Sequence, residues 1–169
     1  LLKNKKGFVL GAMLADLFSE EKNDVEIAMR NLEEIGICVT ENSRLSLLDV
    51  VRWGKGLENW DQTLLYDTIS NVLEELFYPY AWKALLCQQE KGIYYVLLCT
   101  DSAAELNDES MYHQMERFQI TFQKFFDCGF AIYYGALEDR QAVWELVRIL
   151  KKADQNNVGR KEGIYNVQE

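Results

Sequence analysis

The stretch Arg44-Leu45-Ser46-Leu47-Leu48-Asp49-Val50-Val51-Arg52-Trp53 constrains the fold more than any other. Its middle is almost continuously apolar, where a half-exposed strand would alternate apolar and polar residues. That pattern describes a central strand covered on both faces. A chain built around it must supply helices for both sides of a sheet. The rest of the sequence has segments of the right period.

Before this strand, Val9, Leu10, Met13, Leu14, Leu17 and Phe18 recur at helical spacing. A polar break follows over 19–24. Asn23 or Asp24 is a suitable cap for a second helix, from Val25 to about Ile35. Leu32 and Ile35 would continue its apolar stripe, and Gly36 would stop it. These two helices are a candidate stalk or dimerisation element. The sequence divides into a helical lead-in or linker over 1–36 and a domain over 37–169.

After Trp53, Gly54-Lys55-Gly56 marks a turn; it lacks the remaining glycine and the Lys-Ser/Thr ending of a phosphate loop. A helix is expected from Asp61 to Phe77, with Leu64, Leu65, Ile69, Val72, Leu73 and Leu76 inward and Pro79 ending the region. Two apolar runs, Trp82 to Cys87 and Ile93 to Cys99, form a β-hairpin around Gln88-Gln89-Glu90-Lys91-Gly92. A helix from Asp108 to Asp127 would bury Met111, Met115, Phe118, Phe122 and Phe125. A strand over Phe130 to Tyr134, a helix over Glu138 to Lys152 and a short strand over Gly163 to Val167 complete the chain. The fold class is α/β (α+β), a mixed sheet with helices packed on it.

Composition limits function. Acidic residues outnumber basic ones by 27 to 18, giving a formal net charge of −9. Binding to nucleic-acid phosphates needs clustered Lys and Arg, and the basic residues Lys3, Lys5, Lys6, Lys151, Lys152, Arg160 and Lys161 gather at the two ends. No apolar run approaches the roughly 20 residues that span a bilayer. The cysteines Cys38, Cys87, Cys99 and Cys128 have no close pairing, and three of them adjoin apolar runs. They read as reduced core thiols in a cytoplasmic protein. His113 is the only histidine, so a histidine-based metal cluster is excluded, and its setting near a helix start suggests a surface or partly buried position. The tyrosine pairs Tyr94-Tyr95 and Tyr133-Tyr134 put aromatics on both faces of their strands, as core or as a ligand platform. The first residues, Leu1-Leu2-Lys3, and the last, Val167-Gln168-Glu169, read as boundaries within a longer signalling protein.

Leu47-Leu48-Asp49-Val50-Val51 resembles the first strand of a diguanylate cyclase (GGDEF) domain, which carries a metal-binding Asp. The helix from Leu64 to Leu76, with Tyr66, Asn71, Glu74 and Glu75, is similar to one in the middle region of YesN-like AraC-type response regulators. So is Phe130-Ala131-Ile132-Tyr133-Tyr134-Gly135, followed by a helix and Asn156-Asn157-Val158. The resemblance spans most of the chain after about residue 25. It implies a degenerate GGDEF-like, nucleotide-cyclase-like regulatory domain. Its place would be between a receiver and a helix-turn-helix DNA-binding domain of a two-component transcription factor. Signal relay without chemistry, a homodimer, and DNA contact only through the other domain are the expected properties. The turn Gln88-Gln89-Glu90-Lys91-Gly92 departs from the cyclase loop Gly-Gly-Asp/Glu-Glu-Phe, and Val51 stands where a second strand acid would be needed. A lone Asp49 is a poor Mg²⁺ site. Asp49 is therefore expected to bond to nearby backbone, or to lie exposed at the strand end. No catalytic residue, metal ligand or cofactor is expected. A small-molecule or nucleotide sensor on a degenerate cyclase scaffold is the alternative.

Overall fold

The computed structural model describes residues 2–100, 106–137 and 143–168. Five strands form one sheet in the order β2-β3-β1-β4-β5. They are β1 (Arg44–Arg52), β2 (Lys83–Glu90), β3 (Ile93–Cys99), β4 (Gly129–Ala136) and β5 (Gly163–Asn166). Five helices flank it: α1 (Leu2–Leu17), α2 (Lys22–Glu34), α3 (Gln62–Phe77), α4 (Asp108–Phe126) and α5 (Val143–Gln155). β1 pairs antiparallel with both β3 and β4, β2 pairs antiparallel with β3, and β5 joins β4 in parallel. The connections α3 and α4 each skip over a strand, giving two interleaved split βαβ units. The α5 crossover adds β5 beside β4, as a parallel pair requires.

The sheet has a core on each face. Leu48, Val50, Tyr94, Val96, Phe130 and Ile132 meet α3 and α4 on one side. Leu45, Leu47, Tyr95, Leu97, Ala131 and Tyr133 meet α1, α2 and α5 on the other. The two-sided burial expected of β1 follows: Leu45, Leu47, Leu48 and Val50 are at most 1% exposed. The tyrosine pairs divide between the faces as their alternation requires.

Local chemistry starts and stops the helices. The Asp61 side chain accepts from the Thr63 amide at 2.8 Å at the head of α3, and Asn107 accepts from Ser110 at 2.8 Å at the head of α4. Neither Asn23 nor Asp24 caps α2. It begins at Lys22 behind Glu21, whose side chain makes no cap hydrogen bond, and Ser19 Oγ accepts from the Glu21 amide. The chain leaves α2 through Gly36 at φ +88°. The first hairpin strand is longer at the tip than its apolar run, while the second begins at Ile93 as expected. β2 continues to Glu90, and Lys91-Gly92 alone makes the turn, with Gly92 at φ +83°. Cross-strand pairing extends the strand through the polar Gln88 and Glu90, with the register shifting between them. Trp53 and Trp82 lie just outside the strands expected to hold them.

Three residues expected inside are outside: Ile35, Leu64 and Phe125. Each flanks a buried stripe that its neighbours already fill, Leu32 on α2, Leu65 on α3 and Phe122 on α4. Residues 138–142, placed in the last helix by sequence, lie outside the described residues.

The lead-in helices pack into the sheet. Leu14, Leu17, Phe18, Val25, Ala28 and Leu32 are buried in the same core as α5. The Phe18 ring stacks on Tyr95 of β3 at 4.8 Å. Phe18→Ala should therefore destabilise the whole domain by about 3–5 kcal/mol in urea unfolding, the cost of a cavity in a packed core. A freely attached stalk would leave the unfolding midpoint unchanged.

Candidate functional site

The end of β1 carries two charged residues, and the loop between α5 and β5 carries their complements. Asp49 is 2% exposed, and its Oδ1 accepts from Arg160 Nη2 at 2.9 Å. Arg160 also donates to the Val50 carbonyl at 3.0 Å. Arg52, three residues on from Asp49, donates through Nε to Glu162 at 2.7 Å and through Nη1 to Asp127 at the end of α4. One strand thus presents acid then base, and the loop answers with base then acid.

The loop is built to aim Arg160. Asn157 brackets it, donating to the Lys161 carbonyl at 2.9 Å and accepting from the Lys161 amide at 3.1 Å. Gly159 at φ +81° and Arg160 at φ +48° turn the chain through two left-handed residues in succession. The second is costly for a residue with a side chain, so the strain is held by the contacts that Arg160 makes. Gly129 gives Glu162 its place: a Cβ there would meet the Glu162 side chain at 2.0 Å.

The sequence expectation for Asp49 needs correcting on this point. The residue is neither exposed nor held by local backbone. It is buried, and its partner is a side chain 111 residues later. A buried carboxylate needs a cation or several donors, and no spacing rule identifies a partner so far along the chain.

Asp154 on α5 is the second acid of the cluster. Burial first, and then the neighbouring Asp49 carboxyl, push its pKa up to about 7, against the pull of Arg160 and Tyr133. Its Oδ1 is buried without a hydrogen-bond partner. A proton on Asp154 turns two repelling acceptors into a donor and an acceptor. Tyr133 faces the same cluster from β4. Its hydroxyl is buried; burial first, and then Asp154, push its pKa up to about 12, against the Asn157 side chain. Tyr133 was legible as a strand aromatic; Asp154 lies beyond Lys152, where the last helix was expected to end, and nothing in the spacing of either residue joins it to Asp49.

The other candidates stay apart. Cys87, Cys99 and Cys128 are buried free thiols and Cys38 is exposed. Burial pushes Cys87 up to about 11 and Cys128 to about 12, so neither is a thiolate nucleophile at neutral pH. His113 is exposed on α4. No group of three or more metal-binding side chains occurs among the described residues. At the hairpin tip, the Lys91 ammonium lies over the Trp53 ring at 5.5 Å, and a Cβ on Gly92 would meet that ring at 3.0 Å. Trp53 fills the space against the turn.

Beside the cluster, the β5 edge and the end of α5 border an open cleft of about 690 Å³. Tyr133 is in its lining, with Lys152, Lys161 and Tyr165. None of the described helices is long and apolar enough to cross a membrane. Comparison with known proteins finds no match, whether to a family model, a curated protein or a solved structure.

The acid pair sets a pH dependence with a definite sign. Folded, Asp154 keeps its proton up to about pH 7; unfolded, it loses it near the usual 3.8. Its contribution to stability is complete below the unfolded value and is lost as pH rises through 7. Measured as the difference between wild type and Asp154→Asn, unfolding free energy should fall across pH 4–7 by at most about 1.4 kcal/mol per pH unit. The variant should gain on wild type most at pH 8. A difference that does not vary with pH would rule out the shared proton. Arg160→Ala, which leaves Asp49 buried without its cation, should cost roughly 2 kcal/mol at pH 7.

Proposed function

We propose that this chain is a non-catalytic regulatory relay: the central domain of an AraC-type, YesN-like response regulator, joining a receiver to a helix-turn-helix DNA-binding domain. The observation that carries its non-catalytic character is the burial of Asp49 against Arg160. Asp49 is the residue that the diguanylate-cyclase resemblance assigns to metal, and here its charge ties down the loop before β5. The hairpin tip supports the same reading. Lys91 stands where that resemblance would require acids, and Trp53 packs where small residues would admit a nucleotide.

The relay element of the proposal rests on packing. The first helices and the last helix share one core on one face of the sheet. A displacement of α1 or α2 must repack Leu17, Phe18 and Tyr95 against neighbours that also hold α5, because close-packed interiors transmit strain. The loop after α5 is fixed to β1 by two charge pairs. A signal entering at the N-terminal helices and leaving after β5 therefore has a continuous path through packed side chains. In this reading the domain contacts DNA only through its neighbour, works in the cytoplasm, and self-associates as a homodimer.

Two measurements test the proposal. The natural gene should encode a receiver before Leu1 and a helix-turn-helix domain after Glu169; a natural product ending near Glu169 would overturn the relay. Incubation of the chain with GTP and Mg²⁺ or Mn²⁺ should release no pyrophosphate and no cyclic dinucleotide. Turnover that disappears in Asp49→Asn would overturn the non-catalytic reading.

A further inference from the structure

The cleft beside β5 has a composition that the protein as a whole does not share. The chain carries 27 acidic residues against 18 basic, yet the cleft lining contains Lys152 and Lys161 and no Asp or Glu. Its remaining polar lining is carried by the side-chain amides Asn156, Asn157 and Asn166 and by the two tyrosines. Two ammonium groups with no carboxylate in the lining favour an anionic occupant over a cationic one.

Its floor is a built aromatic platform. Tyr133 of β4 and Tyr165 of β5 are register partners on the parallel pair, and their rings stack at 5.4 Å with 21° between planes. Tyr165 lies down over its own strand: a Cβ on Gly163 would meet the Tyr165 hydroxyl at 2.3 Å and the ring carbons within 2.8 Å. Gly163 therefore makes room for a flat ring, Tyr133 supports it from one side, and Tyr165 remains 41% exposed. The volume, about 690 Å³, is that of a small-molecule site.

We propose that this cleft binds a planar organic anion. The ring would stack on Tyr165, and the carboxylate or phosphate would lie between the Lys152 and Lys161 ammonium groups. The site does not depend on the relay reading, since it needs only the cleft. It adjoins the loop held by Arg160, so an occupant would also bear on the Asp49 clamp. Two chemical sources fit, an aromatic carboxylate and a nucleoside monophosphate, and they share the ring and the anion.

The test is calorimetric titration of the purified chain with adenosine 5′-monophosphate, with indole-3-acetate and with inorganic phosphate. One of the ring-bearing anions should saturate a single site and bind more tightly than phosphate. The tighter of the two identifies the source. Tyr165→Leu should weaken it by about tenfold, within the range of aromatic stacking on a flat ligand. Lys161→Glu, a change at an exposed position, should weaken it at least as much while leaving the thermal midpoint near that of wild type. Absence of saturable binding by either ring-bearing anion at millimolar concentration would overturn the proposal. So would binding that both variants leave unchanged, or phosphate binding as tight as that of the ring-bearing anions.

Discussion

The fold depends on β1 having no free side. It is paired on both edges and covered on both faces, so the buried polar side chains in its middle, Ser46 and Asp49, must find partners inside the protein. The Ser46 hydroxyl donates to the Tyr133 carbonyl at 2.8 Å, and Asp49 takes Arg160. The second partnership reaches across to the loop before β5, so the burial of one strand's carboxylate determines where the end of the chain must lie. Arg52 and Glu162 repeat the constraint with the charges reversed.

This coupling explains why the two faces of the sheet differ. The α3 and α4 face is almost wholly apolar, with the aromatic cluster of Phe118, Phe122 and Phe130 at its centre. The opposite face is apolar under α1 and α2 but becomes polar towards β5. There Asp49, Asp154 and Tyr133 gather at the border of the core. Buried ionisable groups are expensive, and packing alone would favour apolar residues of the same volume. Their grouping beside an open cleft, on the face that also takes the N-terminal helices, is where a binding event could alter both the charge pairs and the helix packing. Asp154 would respond to any anion that approaches it, since a nearby negative charge raises a carboxyl's affinity for its proton.

The sheet and its covering helices were legible because they rest on local periodicity. Apolar continuity in β1, adjacent tyrosines on opposite faces of β3 and β4, and spacings of three and four in α3, α4 and α5 are properties of neighbouring residues, and they specify both element type and inward face. The errors fell at the margins of those patterns. Ile35, Leu64 and Phe125 have the chemistry of core residues but sit one step outside a stripe already filled. The α2 start and the hairpin tip were misplaced for a related reason: cross-strand hydrogen bonds and side-chain turns override the polarity of Gln88, Glu90 and Asp24.

The sequence by itself determined a mixed sheet sandwiched by helices, an acidic exterior and a hairpin between two apolar runs, with three of the four cysteines, Cys87, Cys99 and Cys128, buried as free thiols. Only the tertiary structure decided that the leading helices belong to the sheet's core, that Asp49 is bound to Arg160, and that Asp154 and Tyr133 complete its surroundings. The physical reason is range. Periodicity records which way a residue faces within its own element. The partner of a buried charge is chosen by topology, which here brings residues 49, 133, 154 and 160 together from three strands' worth of intervening chain. The cleft is non-local in the same way, since Tyr133 and Tyr165 stack only because α5 returns the chain to lay β5 alongside β4.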